Sequence, residues 1–145
     1  MARTVMAFGS FDILHPGHVL YLERARRLGD RLLVVVARDS SIEMFKGRKP
    51  FFTEKERLHM VSALRVVDKA VLGNRVKDPS GIYGILGRYK PDVIALGYDQ
   101  RADIRGLKEW LRRNRINASV KRLRARADPA RYKSSIIRER LVRRS

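Results

Sequence analysis

The chain has 145 residues, 44% of them hydrophobic and 33% charged, and it contains no cysteine. These proportions fit a globular protein able to bury its own core, and they exclude a disulfide framework and thiolate zinc sites. A formal net charge of +18 points to anionic partners: nucleic acid, phosphorylated metabolites or acidic lipid.

Apolar and amphipathic runs alternate along the chain. TVMAFG (4–9) is a short β-type run, and HVLYLERARRLG (18–29) carries apolar residues at helical spacing. RLLVVVAR (31–38) is β-branched and almost continuous, as suits a strand covered on both faces. Residues 38–52 are expected to form the longest irregular stretch, long enough to be a functional loop over a site. TEKERLHMVSAL (53–64) opens as a helix with a capping box, Thr53 followed by Glu56. VDKAVLG (67–73) reads as a strand, 80–90 as a helix and DVIALG (92–97) as a strand. DIRGLKEWLRRN (103–114) reads as an amphipathic helix, ASVKRL (118–123) as a last strand and SSIIRERLVRR (134–144) as a closing helix. Strands alternating with helices predict an α/β fold: one domain over 1–145, a doubly wound, Rossmann-like parallel sheet of five strands with helices on both faces. Such sheets bind ligands beyond the carboxyl ends of their strands, at the point where the strand order reverses. LLVVVA (32–37) is too short to cross a bilayer, and the first residues lack a secretory apolar segment, so no membrane partner and a cytoplasmic location are expected.

The stretch GSFDILHPGH (9–18) holds two of the chain's three histidines. Pro16 suits the first position of a helix, and Gly17 lets a ligand approach the backbone closely. His15 and His18, three apart, would share a helix face at the positive end of its dipole. Backbone N–H groups there would make an anion site suited to a phosphate, with two imidazole donors added. Packing or surface histidines are the ordinary alternative. A metal pair is another, although imidazole ligands normally need a third partner and no acidic residue stands nearby at helical spacing. Asp12 would cap a loop or contact a ligand. The chain has neither a Walker A motif nor G-x-G-x-x-G.

GSFDILHPGH resembles the G-[ST]-F-D-x-x-H-x-G-H signature of the nucleotidylyltransferase superfamily. Together with KGRKP, ERLHMVSALRVVDKAVLG and KPDVIALGYDQ it is similar to the cytidylyltransferase-like branch, and within it to the archaeal FAD synthases, which adenylate FMN. The resemblance implies transfer of AMP from ATP to FMN, giving FAD and pyrophosphate, with Mg²⁺ on the triphosphate and no metal ligand identified in the protein. It implies that His15 and His18 stabilise charge on the α-phosphate and that Lys46 and Arg48 grip the triphosphate. Ser10 and Phe11, through their backbone, would contact the nucleotide, as would Pro16, Gly17 and Asp99. The segment RYKSS aligns loosely with a Ser/Thr-rich nucleotide-binding segment, which adds Tyr132, Ser134 and Ser135; Ser134 could equally cap its helix. Homodimers are common in this branch, so a homodimer is among the assemblies the resemblance allows. A phosphate nucleophile is already ionised near neutral pH, so such a reaction needs charge neutralisation and in-line positioning rather than a general base.

Two rivals accompany that reading. One is a cytidylyltransferase, for instance on glycerol 3-phosphate, or another adenylyltransferase. The other is a nucleic-acid-binding module on an inactive fold, motivated by the basic runs VKRLRARADPARYK and RERLVRRS. Against it, the intact histidine signature would have no role, and no aromatic platform is interleaved with the basic residues. Nucleic acid is therefore not expected as the main partner.

Overall fold

Parallel pairing joins all the strands of the computed structural model, which describes residues 2–77, 81, 83–97, 100, 103–124, 137, 139 and 140. The strands are β1 (Thr4–Gly9), β2 (Arg31–Val36), β3 (Lys69–Leu72), β4 (Val93–Leu96) and β5 (Ser119–Arg122). Their order is β3-β2-β1-β4-β5, in one five-stranded sheet. The helices are α1 (Pro16–Arg26), α2 (Asp39–Lys46), α3 (Glu54–Ser62), α4 (Gly84–Tyr89) and α5 (Ile104–Arg113).

The period-two alternation of each strand sorts the core into two layers. Val5, Ala7, Leu32, Val34 and Val36 point to one face, where Leu22 and Ala25 of α1 and Val61 of α3 cover them. Met6, Leu33, Val35 and Ile94 point to the other, against Ile85 and Leu86 of α4 and Leu107 and Leu111 of α5. Helices therefore lie on both faces, as the alternating pattern predicts. Apart from Thr4 and Arg31 at their first positions, the central strands are apolar because both of their faces are buried.

The chain departs from the sequence expectation at 38–52. Its first half is not irregular but forms α2, which buries only Ile42 and ends at Gly47 in the left-handed region, φ 67°. The N-cap residue Arg38 makes no capping bond with its side chain. Glu54 supplies the acceptor instead: one carboxylate oxygen accepts from the Asp39 N–H at 3.1 Å, and the other pairs with Arg38 at 2.8 Å. A cap from a residue distant in sequence leaves no local signature. Of the expected closing helix, only Ile137, Glu139 and Arg140 are described, and these are helical.

The strand order reverses between β1 and β4. Regular pairing stops at Ala7 and Ala95. Beyond it the Tyr21 hydroxyl accepts from the Phe8 N–H at 3.2 Å and donates to the Ala95 carbonyl at 2.7 Å. Gln100 spans the same gap, donating to the Phe8 carbonyl at 2.5 Å and accepting from the Gly97 N–H at 2.8 Å. Side chains thus satisfy the backbone where the two strands part, directly beside the turn that leads into α1.

Candidate active site

The turn between β1 and α1 is built around Phe11. Its backbone is left-handed, φ 51°, a costly conformation for a bulky residue and one that structures keep at functional sites. Its ring is buried and lies over Gly9, where a Cβ would stand 2.7 Å from the ring carbons. Glycine is the residue that fits at this strand end. The Phe11 ring also meets His18 edge-on, with centroids 5.4 Å apart.

His15 is the N-cap of α1, and Pro16 follows as its first residue. The two histidines take the roles that Ser or Thr and Glu play in an ordinary capping box. The Gly17 N–H donates to His15 Nδ1 at 3.1 Å, and the His15 N–H donates to His18 Nδ1 at 3.2 Å. The rings stack with centroids 3.8 Å apart. This corrects the expectation of backbone N–H groups left to face a ligand. Those of His15 and Gly17 go to imidazole nitrogens, those of His18 and Val19 to the His15 carbonyl, and Pro16 has none.

The cap has an electronic consequence. An Nδ1 that accepts a hydrogen bond carries no proton, so each neutral ring holds its proton on Nε2. Burial, the neighbouring His15 and Lys46 together lower the His18 pKa from 6.5 to about 3. His18 is therefore neutral near pH 7. The backbone donors at the helix start are converted, through the rings, into polarised Nε2–H donors.

Lys46, the last residue of α2, donates from Nζ to Ser10 Oγ at 3.1 Å. Ser10, Phe11, His15, Pro16, Gly17, His18 and Lys46 are thus brought together. Arg48 lies exposed in the loop after Gly47. Asp12 does cap a loop: its two carboxylate oxygens accept from the Phe51 and Phe52 N–H groups, both at 2.9 Å. Asp99, Tyr132, Ser134 and Ser135 lie outside the described residues. Arg122 donates to the Gly97 and Gln100 carbonyls, both at 2.9 Å.

Arg57 carries no motif that singles it out in the sequence, yet it ties the site together. It is 0% exposed. Its guanidinium donates to the carbonyls of Ser10 (2.8 Å), Ala37 (2.7 Å) and Phe52 (3.0 Å) and to Asp39 Oδ1 (2.7 Å). One side chain so fixes the ends of β1 and β2, the start of α2 and the entry to α3. The fork of five donors on a planar cation makes this possible for arginine alone. A buried arginine inside an otherwise helical pattern is the available signal, but burial is not visible in a single sequence.

Fold and site define a parallel α/β protein that presents an imidazole pair where its strand order reverses. The chain belongs to the cytidylyltransferase-like family, which it matches over residues 6–140. It is 46% identical over 140 residues to the FAD synthase of Ferroglobus placidus, covering 97% of this chain and 88% of that one. It is 51% identical over 122 residues to the FAD synthase of Methanothrix thermoacetophila, covering 84% and 81%. Among solved structures, a lipopolysaccharide core biosynthesis protein from Thermoplasma volcanium superposes with a TM-score of 0.80 at 40% identity, covering 87% of this chain and 99% of that one. Thermotoga maritima TmcAL, bound with alpha-thio ATP, shares the fold at a TM-score of 0.73 and 12% identity, over 98% of this chain and 50% of its own.

Proposed function

We propose that this chain is an FAD synthase, a single nucleotidyltransferase domain in the cytoplasm that transfers AMP from ATP to FMN and releases pyrophosphate. The observation that carries the chemistry is the capped imidazole pair: two rings whose Nδ1 atoms are occupied by backbone N–H groups, leaving Nε2–H as the donor of each. Identity to FAD synthases over nearly the whole chain supports the choice of substrates.

A phosphate oxygen of FMN attacks the α-phosphorus of ATP in line. A new P–O bond forms, the bond to the β-phosphate oxygen breaks, and pyrophosphate leaves with the electron pair. Negative charge gathers on the α-phosphate oxygens, and His15 and His18 donate to them from Nε2. With Nδ1 taken up as an acceptor, Nε2–H is the donor each ring can aim at the phosphate. Lys46, held beside the pair through Ser10, neutralises charge, and Arg48 adds a second cation from the following loop. The backbone of Ser10, Phe11 and Gly17 borders the nucleotide, and Asp99, Tyr132, Ser134 and Ser135 complete its contacts.

Mg²⁺ enters as part of the substrate, on the triphosphate. Among the described residues no three His, Cys, Asp or Glu side chains come together. Both Asp12 oxygens already accept backbone N–H groups.

Pyrophosphate release, measured for ATP or CTP paired with FMN or glycerol 3-phosphate, tests the assignment. Release with ATP and FMN alone, together with FAD on chromatography, is the expected result. Release with CTP and glycerol 3-phosphate but none with ATP and FMN would sink it.

A further inference from the structure

We infer that Phe51, with Phe45, forms the surface on which the isoalloxazine ring of the acceptor stacks, and so selects a flavin over a ringless phosphate; this rests on the FMN-adenylating reading above. Among the described residues the exposed large hydrophobic side chains are Met44 (38%), Phe45 (54%) and Phe51 (72%). A lone exposed apolar residue is unremarkable, but these stand within a single eight-residue segment, 44–51, which also carries Lys46 and Arg48.

Both ends of that segment are tied to the β1–α1 turn. Lys46 Nζ donates to Ser10 Oγ at 3.1 Å. The Phe51 N–H donates to Asp12 at 2.9 Å, and Asp12 is buried three residues before His15. The Phe52 ring meets Phe51 edge-on at 4.9 Å and braces it. Water-exposed aromatic side chains thus stand on a segment tied beside the phosphate-handling residues, outside the core.

The side of the sheet matters as well. The segment follows β2, and β2 and β4 flank β1 on opposite sides. Parallel sheets take their nucleotides in the crevice where the strand order reverses, here between β1 and β4. The β2 side is left for the acceptor. An occupant there must be apolar and planar at one end, to cover the phenylalanines, and carry its phosphate at the other, where it meets the ATP phosphates that Lys46 and Arg48 neutralise. FMN has that polarity, with its ribityl chain between ring and phosphate. Glycerol 3-phosphate has nothing to cover the rings.

Both rings are exposed, so their removal leaves the core intact. Initial rates with FMN varied at saturating ATP, and the reverse, would be compared for the wild type, Phe51→Ala, Phe45→Ala and Phe51→Trp. Quenching of FMN fluorescence without ATP gives a readout independent of turnover. Phe51→Ala is expected to raise the KM for FMN about 10-fold and to weaken the quenching, with kcat and the KM for ATP changed less than about two-fold. Phe45→Ala acts in the same direction, and Phe51→Trp restores binding. An unchanged KM for FMN and unchanged quenching in both alanine variants of an FAD-forming enzyme overturns the stacking surface alone. A raised KM for ATP instead assigns the surface to the nucleotide and also overturns it, as does dissociation of a dimer with FMN binding unaltered. A wild type that forms no FAD and does not quench FMN overturns the underlying reading.

Discussion

His18 is held neutral by its surroundings, and that has one consequence for the reaction and another for stability. In the proposed role of donor to the α-phosphate it would belong to the group of preorganised contacts whose single removal costs about 3–4 kcal/mol of transition-state stabilisation. His18→Ala is expected to lower kcat about 100-fold or more with the far-ultraviolet circular dichroism retained; near-normal turnover by a folded variant would remove His18 from the catalytic set. The stability consequence follows from its pKa, lowered from 6.5 to about 3 by burial, His15 and Lys46. Above pH 6.5 the ring is neutral in both the folded and unfolded chains, and its titration contributes nothing. Between 6.5 and about 3 the unfolded chain takes up a proton that the folded chain does not. Stability therefore falls as pH falls across that window, by up to about 1.4 kcal/mol per pH unit from this group. Urea unfolding at a series of pH values should show a flatter profile for His18→Gln than for the wild type. Parallel profiles would mean that His18 does not carry the difference.

Elements meet at Arg57, and its loss would be felt across several of them at once. Arg57→Met keeps the length and apolar bulk of the stem but leaves the carbonyls of Ser10, Ala37 and Phe52 and the Asp39 carboxylate without their common donor. The expected destabilisation is about 3 kcal/mol or more, read from urea unfolding at neutral pH, and a change below about 0.5 kcal/mol would contradict the role. Arg57→Lys should recover only part of it, because an ammonium cannot span four acceptors. The same residue shows what a sequence hides. The β1 run, the Pro-Gly helix start and the Thr53–Glu56 capping box are local signals, so the first strand, the entry into α1 and the start of α3 are legible in the residues themselves. Arg57 draws its partners from positions 10, 37, 39 and 52, and α2 takes its cap from Glu54. These depend on how distant segments meet, which spacing along the chain does not encode. The histidine pair is legible as a candidate site, but not that its Nδ1 atoms consume the backbone donors.

At the scale of the whole molecule the dominant quantity is charge, with 33 basic side chains against 15 acidic ones. Among the described residues Arg26, Arg38, Arg57 and Arg113 face carboxylates, and the excess of basic over acidic side chains gives a positive field. Both ATP and FMN are anions, so the field raises their local concentration at the mouth of the site before any specific contact forms. That long-range attraction and the short-range chemistry respond differently to salt. At about 0.1 M ionic strength charges more than about 10 Å apart are largely screened, whereas contacts of hydrogen-bond length in a partly desolvated site are screened far less. Raising sodium chloride from about 20 mM to about 0.5 M should therefore raise the KM for ATP and for FMN several-fold and leave kcat nearly unchanged. Quenching of riboflavin, which has the ring without the phosphate, serves as the uncharged control and should vary little over the same range. A kcat that falls in step with the rise in KM would place the salt-sensitive interaction at the reacting phosphates themselves. KM values indifferent to salt would mean that the net charge of +18 plays no part in substrate capture.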